Sequence, residues 1–419
     1  PLSVVHSAPE LNGPKPSPPA LLVQTTPGRR AILCGVWIVH GSAHELPEVA
    51  GATHLVEHLT LRRCGGHDRR SLARLVDRLG GEVDAWTSFE MMGVTVQTTV
   101  DAFGDGIGLL VDAVMTPTVD QGDVELERRV SLAELELIRD DPVEQVEEAI
   151  AHAAWGSHPL ARPVIGSAKS LAALTPQALR EHHRTMISPG RMLAAVVGDV
   201  EPARVAQSVQ RLPLDRMPTP PTLPALRWHG RQRVLTRAGI DQVHVRFAFP
   251  TMASGDPRVV VLTVLNRILG VGASSRLFQR LREDEGLTYD IWSAAALRRL
   301  GGMVEIGWAC APDVYPDVRR LVFEELARCR VDIEQDEVEV AKEGILRGLA
   351  ADAEQPAARC AMDVAELLER GRRFEPEVVA AEISAVTVND VRVLADSLLE
   401  RERMAAAVCG PEGLEIEVA

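Results

Sequence analysis

Apolar and polar positions change period repeatedly along this chain, and the periods mark its elements. Residues 31–39 (AILCGVWIV) and 243–249 (VHVRFAF) read as strands, each opening one half of the sequence. Residues 94–100 alternate as a half-buried strand, and residues 126–139 repeat with helical period. Helical runs do not alternate strictly with strands, which favours an α+β fold over a doubly wound sheet. Residues 175–198 (TPQALREHHRTMISPGRMLAAVVG) and 387–410 (TVNDVRVLADSLLERERMAAAVCG) align without a gap at an offset of 212 (387 − 175). Each opens on a Thr placed to cap a helix and ends in Arg-Met before a small-apolar strand closed by Gly. The match indicates a tandem duplication of about 210 residues per half.

Five prolines (Pro213, Pro218, Pro220, Pro221, Pro224) crowd residues 212–232, where neither a helix nor a central strand can continue. The expected plan is therefore a half spanning residues 1–211, a stiff extended linker over 212–232, and a second half over 233–419. Two α/β-sandwich-like halves joined this way are expected to form a clamshell. The proline-rich first twenty residues read as an arm or an irregular lead-in.

Composition narrows the class. The 419 residues are 46% apolar and 25% charged, ordinary for a soluble globular protein of two or three domains. No apolar run reaches the ~18 residues of a membrane span, and no signal peptide is visible, although the chain begins at Pro1 and not at Met. A net charge of −14 argues against a nucleic-acid partner. Six scattered cysteines without a Cys-x-x-Cys pair are expected to be reduced thiols in a cytoplasm. Lysine occurs only at 15, 169 and 342, so arginine carries nearly all basic charge, as in a bacterium with a G+C-rich genome.

Chemistry concentrates at His54-Leu-Val-Glu57-His58. On a helix the two imidazoles lie one turn apart on one face, able to share a metal ion, with Glu57 on the same side. Zinc suits nitrogen donors, and the order inverts the commoner His-Glu-x-x-His to give the inverzincin signature. Histidines so placed also serve as hydrogen-bonded core groups, and two of them do not complete a zinc shell. Residues 125–142 form a carboxylate-rich helix candidate on which Glu127 and Glu134, seven apart, share a face; a solvated acidic surface has the same pattern. Cys64 and His67 are near in sequence but are set aside as ligands.

The motif, the 75 residues separating His58 from Glu134, and the Glu127/Glu134 pair together resemble the pitrilysin family of zinc peptidases, in its processing-peptidase-like branch of short two-repeat chains. Gly51-Ala-Thr-His-Leu-Val-Glu-His58 and the glycine-led segment 80–90 are similar to the family's flanking pattern. So is the segment 275–289, with Arg282 and Tyr289 seven apart. Where the family commonly has a Phe-Gly-Thr-like turn after the motif, this chain reads Leu61-Arg-Arg-Cys-Gly-Gly-His67.

The resemblance implies one Zn2+ per chain held by His54, His58 and Glu134. Glu57 would be the catalytic base, with Glu127 behind the ligands. Arg282 and Tyr289 would act on the substrate backbone or the oxyanion. The second repeat lacks the motif: its region 259–270 (VVVLTVLNRILG) contains no histidine. An extended peptide would add to an edge strand at Asp84, Ala85, Trp86 and Thr87, reading conformation more than sequence. The expected function is a zinc endopeptidase acting on peptides or short unfolded polypeptides in a closed chamber, as a homodimer or paired with a related subunit. The alternative is a non-catalytic structural or substrate-holding subunit of a larger assembly.

Overall fold

The computed structural model describes residues 20–413 and Glu417. Among the described residues ten strands form two sheets of the same design. In the first, β1 (Leu21–Thr25), β2 (Ala31–Ile38), β3 (Val83–Thr87), β4 (Met92–Thr99) and β5 (Met192–Gly198) lie in the order β1-β5-β2-β4-β3. In the second, β6 (Gln232–Arg237), β7 (Val243–Thr251), β8 (Asp290–Arg298), β9 (Gly301–Cys310) and β10 (Ala405–Pro411) lie in the order β6-β10-β7-β9-β8. Only β1 with β5 and β6 with β10 are parallel; every other pair is antiparallel. The duplicated topology and the mixed helices and sheets agree with the α+β reading. β2 and β7 begin 212 residues apart (243 − 31), the offset seen in the sequence.

The two-residue period of a strand explains why β2 and β5 are apolar throughout. Ile32, Cys34, Val36 and Ile38 of β2, with Met192, Ala194 and Val196 of β5, face one core. Leu33 and Trp37, with Leu193, Ala195 and Val197, face the other way onto Cys360, Val364 and Leu367 of the helix Pro356–Arg370. That helix comes from the second repeat by sequence. In the other sheet, β7 and β10 are covered by the helix Pro142–Trp155, which comes from the first.

The compact units are therefore not the sequence halves. One comprises the described residues through Leu135, Pro163–Leu223 and Asp352–Phe374; the other comprises Glu136–Arg162, Pro224–Ala351 and the remainder from Glu375. Residues 213–231 form no helix or strand, as their prolines require, but the segment is tied down along its length. Thr219 donates its N–H to Gly190 and Trp228 its indole N–H to the Arg403 carbonyl.

Element ends follow local chemistry. Thr175 and Thr387 accept the backbone N–H groups of Ala178 and Asp390, so in both repeats the helix that precedes β5 or β10 opens with the same cap. The acidic helix runs Gln121–Asp140, starting a turn earlier than its apolar period suggests, because the Asp120 carboxylate accepts from the Asp123 N–H at 2.9 Å. All six cysteines are free and buried. Among the described residues no helix is long and apolar enough to cross a membrane.

Candidate metal centre

The helix Ala52–Thr60 carries the His-x-x-Glu-His motif beside β3, burying Ala52, Leu55, Val56 and Leu59 so that the motif side chains face away from the core. Its first residue follows Gly51, whose φ of +90° and closeness to Ile165 admit no side chain: a Cβ there would lie 2.4 Å from the Ile165 carbonyl oxygen. The helix Gln121–Asp140 supplies Glu127 and Glu134. Seven residues apart, they face the motif together, as two helical turns require.

Three donors converge. Nε2 of His54 lies 3.1 Å and Nε2 of His58 lies 3.7 Å from Oε2 of Glu134, and the three ligand atoms all fall within 4.8 Å of one another. Donors on a tetrahedral zinc with bonds of ~2.0–2.1 Å stand ~3.3 Å apart, so this set fits zinc by both chemistry and spacing. Among the described residues it is the only such group, and it includes neither Cys64 nor His67. The Cys64 thiol is buried and pushed up to about 11, by burial first and then by the charge of Asp112, so it is held protonated. Glu134 is the most open of the three, its side chain 40% exposed against 17% and 13% for the histidines.

The surrounding groups orient this set. The Nδ1–H of His58 donates to Glu127 at 3.1 Å, which fixes the tautomer and leaves Nε2 as the free donor atom. Glu127 is itself gripped by the Arg62 guanidinium, which also donates to Asp123 at 2.9 Å. Glu57 stands 3.5 Å from Nδ1 of His54 and accepts the Thr87 hydroxyl at 3.3 Å. Burial pulls the His54 pKa down, but the hydrogen bond and charge of Glu57, followed by those of Glu134, outweigh it and hold it above the ordinary histidine value.

Arg62 and Asp123 were not anticipated from the sequence. Arg62 falls four residues after His58, the one-turn spacing that would have pointed to it. A second histidine group was missed as well. His182 meets the Thr53 hydroxyl at 2.9 Å, and the His40 ring lies 5.2 Å from those of His44 and His182, with both His40 nitrogens buried and unbonded. Burial, with neighbouring histidine charges, pushes His40 down to about 3 and His182 to about 4, so both are neutral.

The remaining sequence candidates are placed as follows. Asp84, Ala85, Trp86 and Thr87 lie on β3, an edge strand paired only with β4. Asp84 is exposed, and Trp86 lies over Gly93, where a Cβ would come 2.5 Å from the indole. Arg282 and Tyr289 belong to the second unit and pair with each other, the guanidinium 4.4 Å above the phenol ring and 4.7 Å from that of Phe278. Tyr289 is 80% exposed, not a core tyrosine; Tyr315 is the buried one.

Comparison with known proteins places the chain in a family. The model of the insulinase family (peptidase family M16) matches residues 20–168, and that of the peptidase M16 inactive domain matches residues 173–345. An uncharacterized zinc protease of Mycobacterium tuberculosis is 32% identical over 400 residues, covering 94% of this chain and 91% of its own length. Another, from Bacillus subtilis, is 27% identical over 395 residues, covering 94% and 96%. The crystal structure of a peptidase M16 inactive domain from Pseudomonas fluorescens has the same fold, with a TM-score of 0.85 at 20% identity over 95% of this chain and 97% of that one. With both repeats matched and a relative of this identity spanning nearly the whole length, the chain belongs to peptidase family M16.

Proposed function

We propose that this chain is a zinc-dependent endopeptidase that hydrolyses peptides or short unfolded polypeptides in a closed chamber. The observation that carries the reading is the convergence of His54, His58 and Glu134 with an unligated Glu57 beside them. Relatives named as zinc proteases support it. His54, His58 and Glu134 would hold the metal, which when bound supplies Lewis-acid polarisation of a carbonyl and acidification of water. Glu57 takes the proton of the attacking water and returns it to the departing amine nitrogen. The Thr87 hydroxyl holds one Glu57 oxygen and so orients the base. Glu127 and Arg62 keep the His58 ring turned with Nε2 forward. The free edge of β3, at Asp84 to Thr87, offers backbone N–H and C=O groups to an extended peptide. Arg282 and Tyr289 are assigned to the peptide carbonyl as donors to the developing oxyanion.

The proposal includes a cytoplasmic location and a dimer, either of two copies or with a related subunit. The test is elemental analysis together with cleavage of a quenched peptide mixture. About one zinc per chain is expected, largely lost in His54→Ala, His58→Ala and Glu134→Gln. Glu57→Gln should keep zinc and lose turnover. Full zinc in His54→Ala would sink the ligand assignment. A zinc-loaded protein that cleaves nothing would favour the alternative, a non-catalytic subunit, for which the match of residues 173–345 to an inactive-domain model is the supporting observation.

A further inference from the structure

We propose that Glu45 is a positioning residue for the metal motif: its buried carboxylate sets the N-terminal end of the helix that carries His54, Glu57 and His58. The inference rests on the zinc reading above and names a residue that reading does not use.

The first N–H groups of any helix lack partners within it, and a Ser, Thr or Asp at the cap usually accepts one of them. Here the cap position is Gly51, with no side chain to offer, and the +90° φ and the Ile165 carbonyl exclude a replacement. The acceptor comes instead from six residues upstream. Glu45 follows the short 3-10 turn Ser42–His44, and its two carboxylate oxygens divide the work. Oε2 accepts the Gly51 N–H at 2.7 Å and Oε1 accepts the Thr53 N–H at 2.6 Å. The Glu45 side chain is 1% exposed, so these charge-assisted bonds are shielded from water, and the negative charge sits at the positive end of the helix dipole. The Thr53 hydroxyl is engaged by His182 at 2.9 Å, so the residue before His54 is held through both backbone and side chain.

The consequence for the metal is geometric. Ala52–Thr60 has nine residues, too few to hold a helix unaided. His54 is the next residue after the pinned Thr53, and His58 is one turn further on. Ligand positions matter within ~0.2 Å, so a slack first turn spreads the spacing between the histidine nitrogens and Glu134.

Zinc affinity, measured by competition with a chelator well below the unfolding temperature, tests this. Glu45→Gln keeps the size and one acceptor oxygen but turns an N–H2 toward a backbone N–H; Glu45→Ala removes both acceptors. We expect affinity to fall by roughly tenfold in the first and by up to ~100-fold in the second, the range for groups that orient metal ligands. Val205→Ala, at a fully buried site in the same unit and outside the metal motif, serves as a control that lowers stability alone. Loss of affinity in the Glu45 variants with parental affinity in Val205→Ala supports the proposal. Parental affinity in the folded Glu45 variants overturns it, as does an equal loss in Val205→Ala. Should Glu45→Ala not fold, Glu45→Gln decides. A parent chain that binds no zinc overturns the metal reading and this proposal together, whereas a parent that binds zinc while both Glu45 variants bind it equally overturns this proposal alone.

Discussion

Replacing Glu127 separates orientation of a ligand from stability of the fold, because its carboxylate serves two partners. One oxygen accepts the His58 Nδ1–H at 3.1 Å, and the other meets the Arg62 guanidinium. Glu127→Ala removes both interactions at a site only 7% exposed. Breaking a buried ion pair costs ~3–5 kcal/mol when the partner is left alone. Arg62 retains Asp123 at 2.9 Å, so a loss at or somewhat below the lower end of that range, about 2–3 kcal/mol, is expected here. His58 also loses the acceptor that selects its tautomer, and zinc affinity should fall by ~10–100-fold. Glu127→Gln behaves differently. Its amide oxygen still accepts from His58, so zinc affinity stays within a few-fold of the parent, about 1 kcal/mol or less. Its N–H2, however, confronts the guanidinium, so the stability loss persists. Denaturant melts of the zinc-free proteins and chelator competition read the two effects independently. If the Ala variant binds zinc like the parent, or if the Gln variant loses as much affinity as Ala, the orienting role of Glu127 is refuted.

Further outcomes follow from the proposed function and from the buried histidines. Tyr289→Phe and Arg282→Ala should keep parental zinc and lower turnover roughly tenfold to a hundredfold with little change in Michaelis constant, less than loss of a sole oxyanion donor because a bound metal would supply part of that stabilisation; parental kinetics in both variants would remove the pair from the mechanism. Acid should destabilise the zinc-free protein below about pH 6.5. His182, held near 4 by burial when folded, takes up its proton at about 6.5 once unfolded, so its stabilising contribution is complete above the unfolded value and lost as pH falls toward 4. That one group accounts for a loss on the order of 3 kcal/mol, and His40 acts in the same direction. Urea midpoints that stay flat from pH 7.5 to about 4.5 would contradict it. Light scattering should show a dimer, and a fully active monomer would overturn that part of the reading.

The sequence by itself determined whatever depends on near neighbours along the chain. Strand and helix periods and the Thr175 and Thr387 caps reappear in the structure because each arises from side-chain spacing within one element, and the 212-residue duplication reappears because similar segments fold alike. The metal motif was legible for the same reason, since four residues on a helix place His54 and His58 on one face. Helical spacing paired Glu127 with Glu134 but left a solvated acidic face equally compatible. Only packing of the helix Gln121–Asp140 against the motif helix turned both carboxylates onto histidines.

Tertiary structure alone decided the long-range matters. The helices Pro142–Trp155 and Pro356–Arg370 cover the sheet opposite to the one their sequence half builds, because an amphipathic helix carries an apolar face without naming its partner. Asp123 and His182 carry no local signal of a role, and only the fold brings the Arg62 guanidinium and the Thr53 hydroxyl to them. Glu45 is the clearest case. A carboxylate six residues before the cap position of a helix carries no local signal as a cap. It becomes one only because Gly51 must be a glycine, which leaves the first N–H groups of the motif helix to be satisfied from a distance.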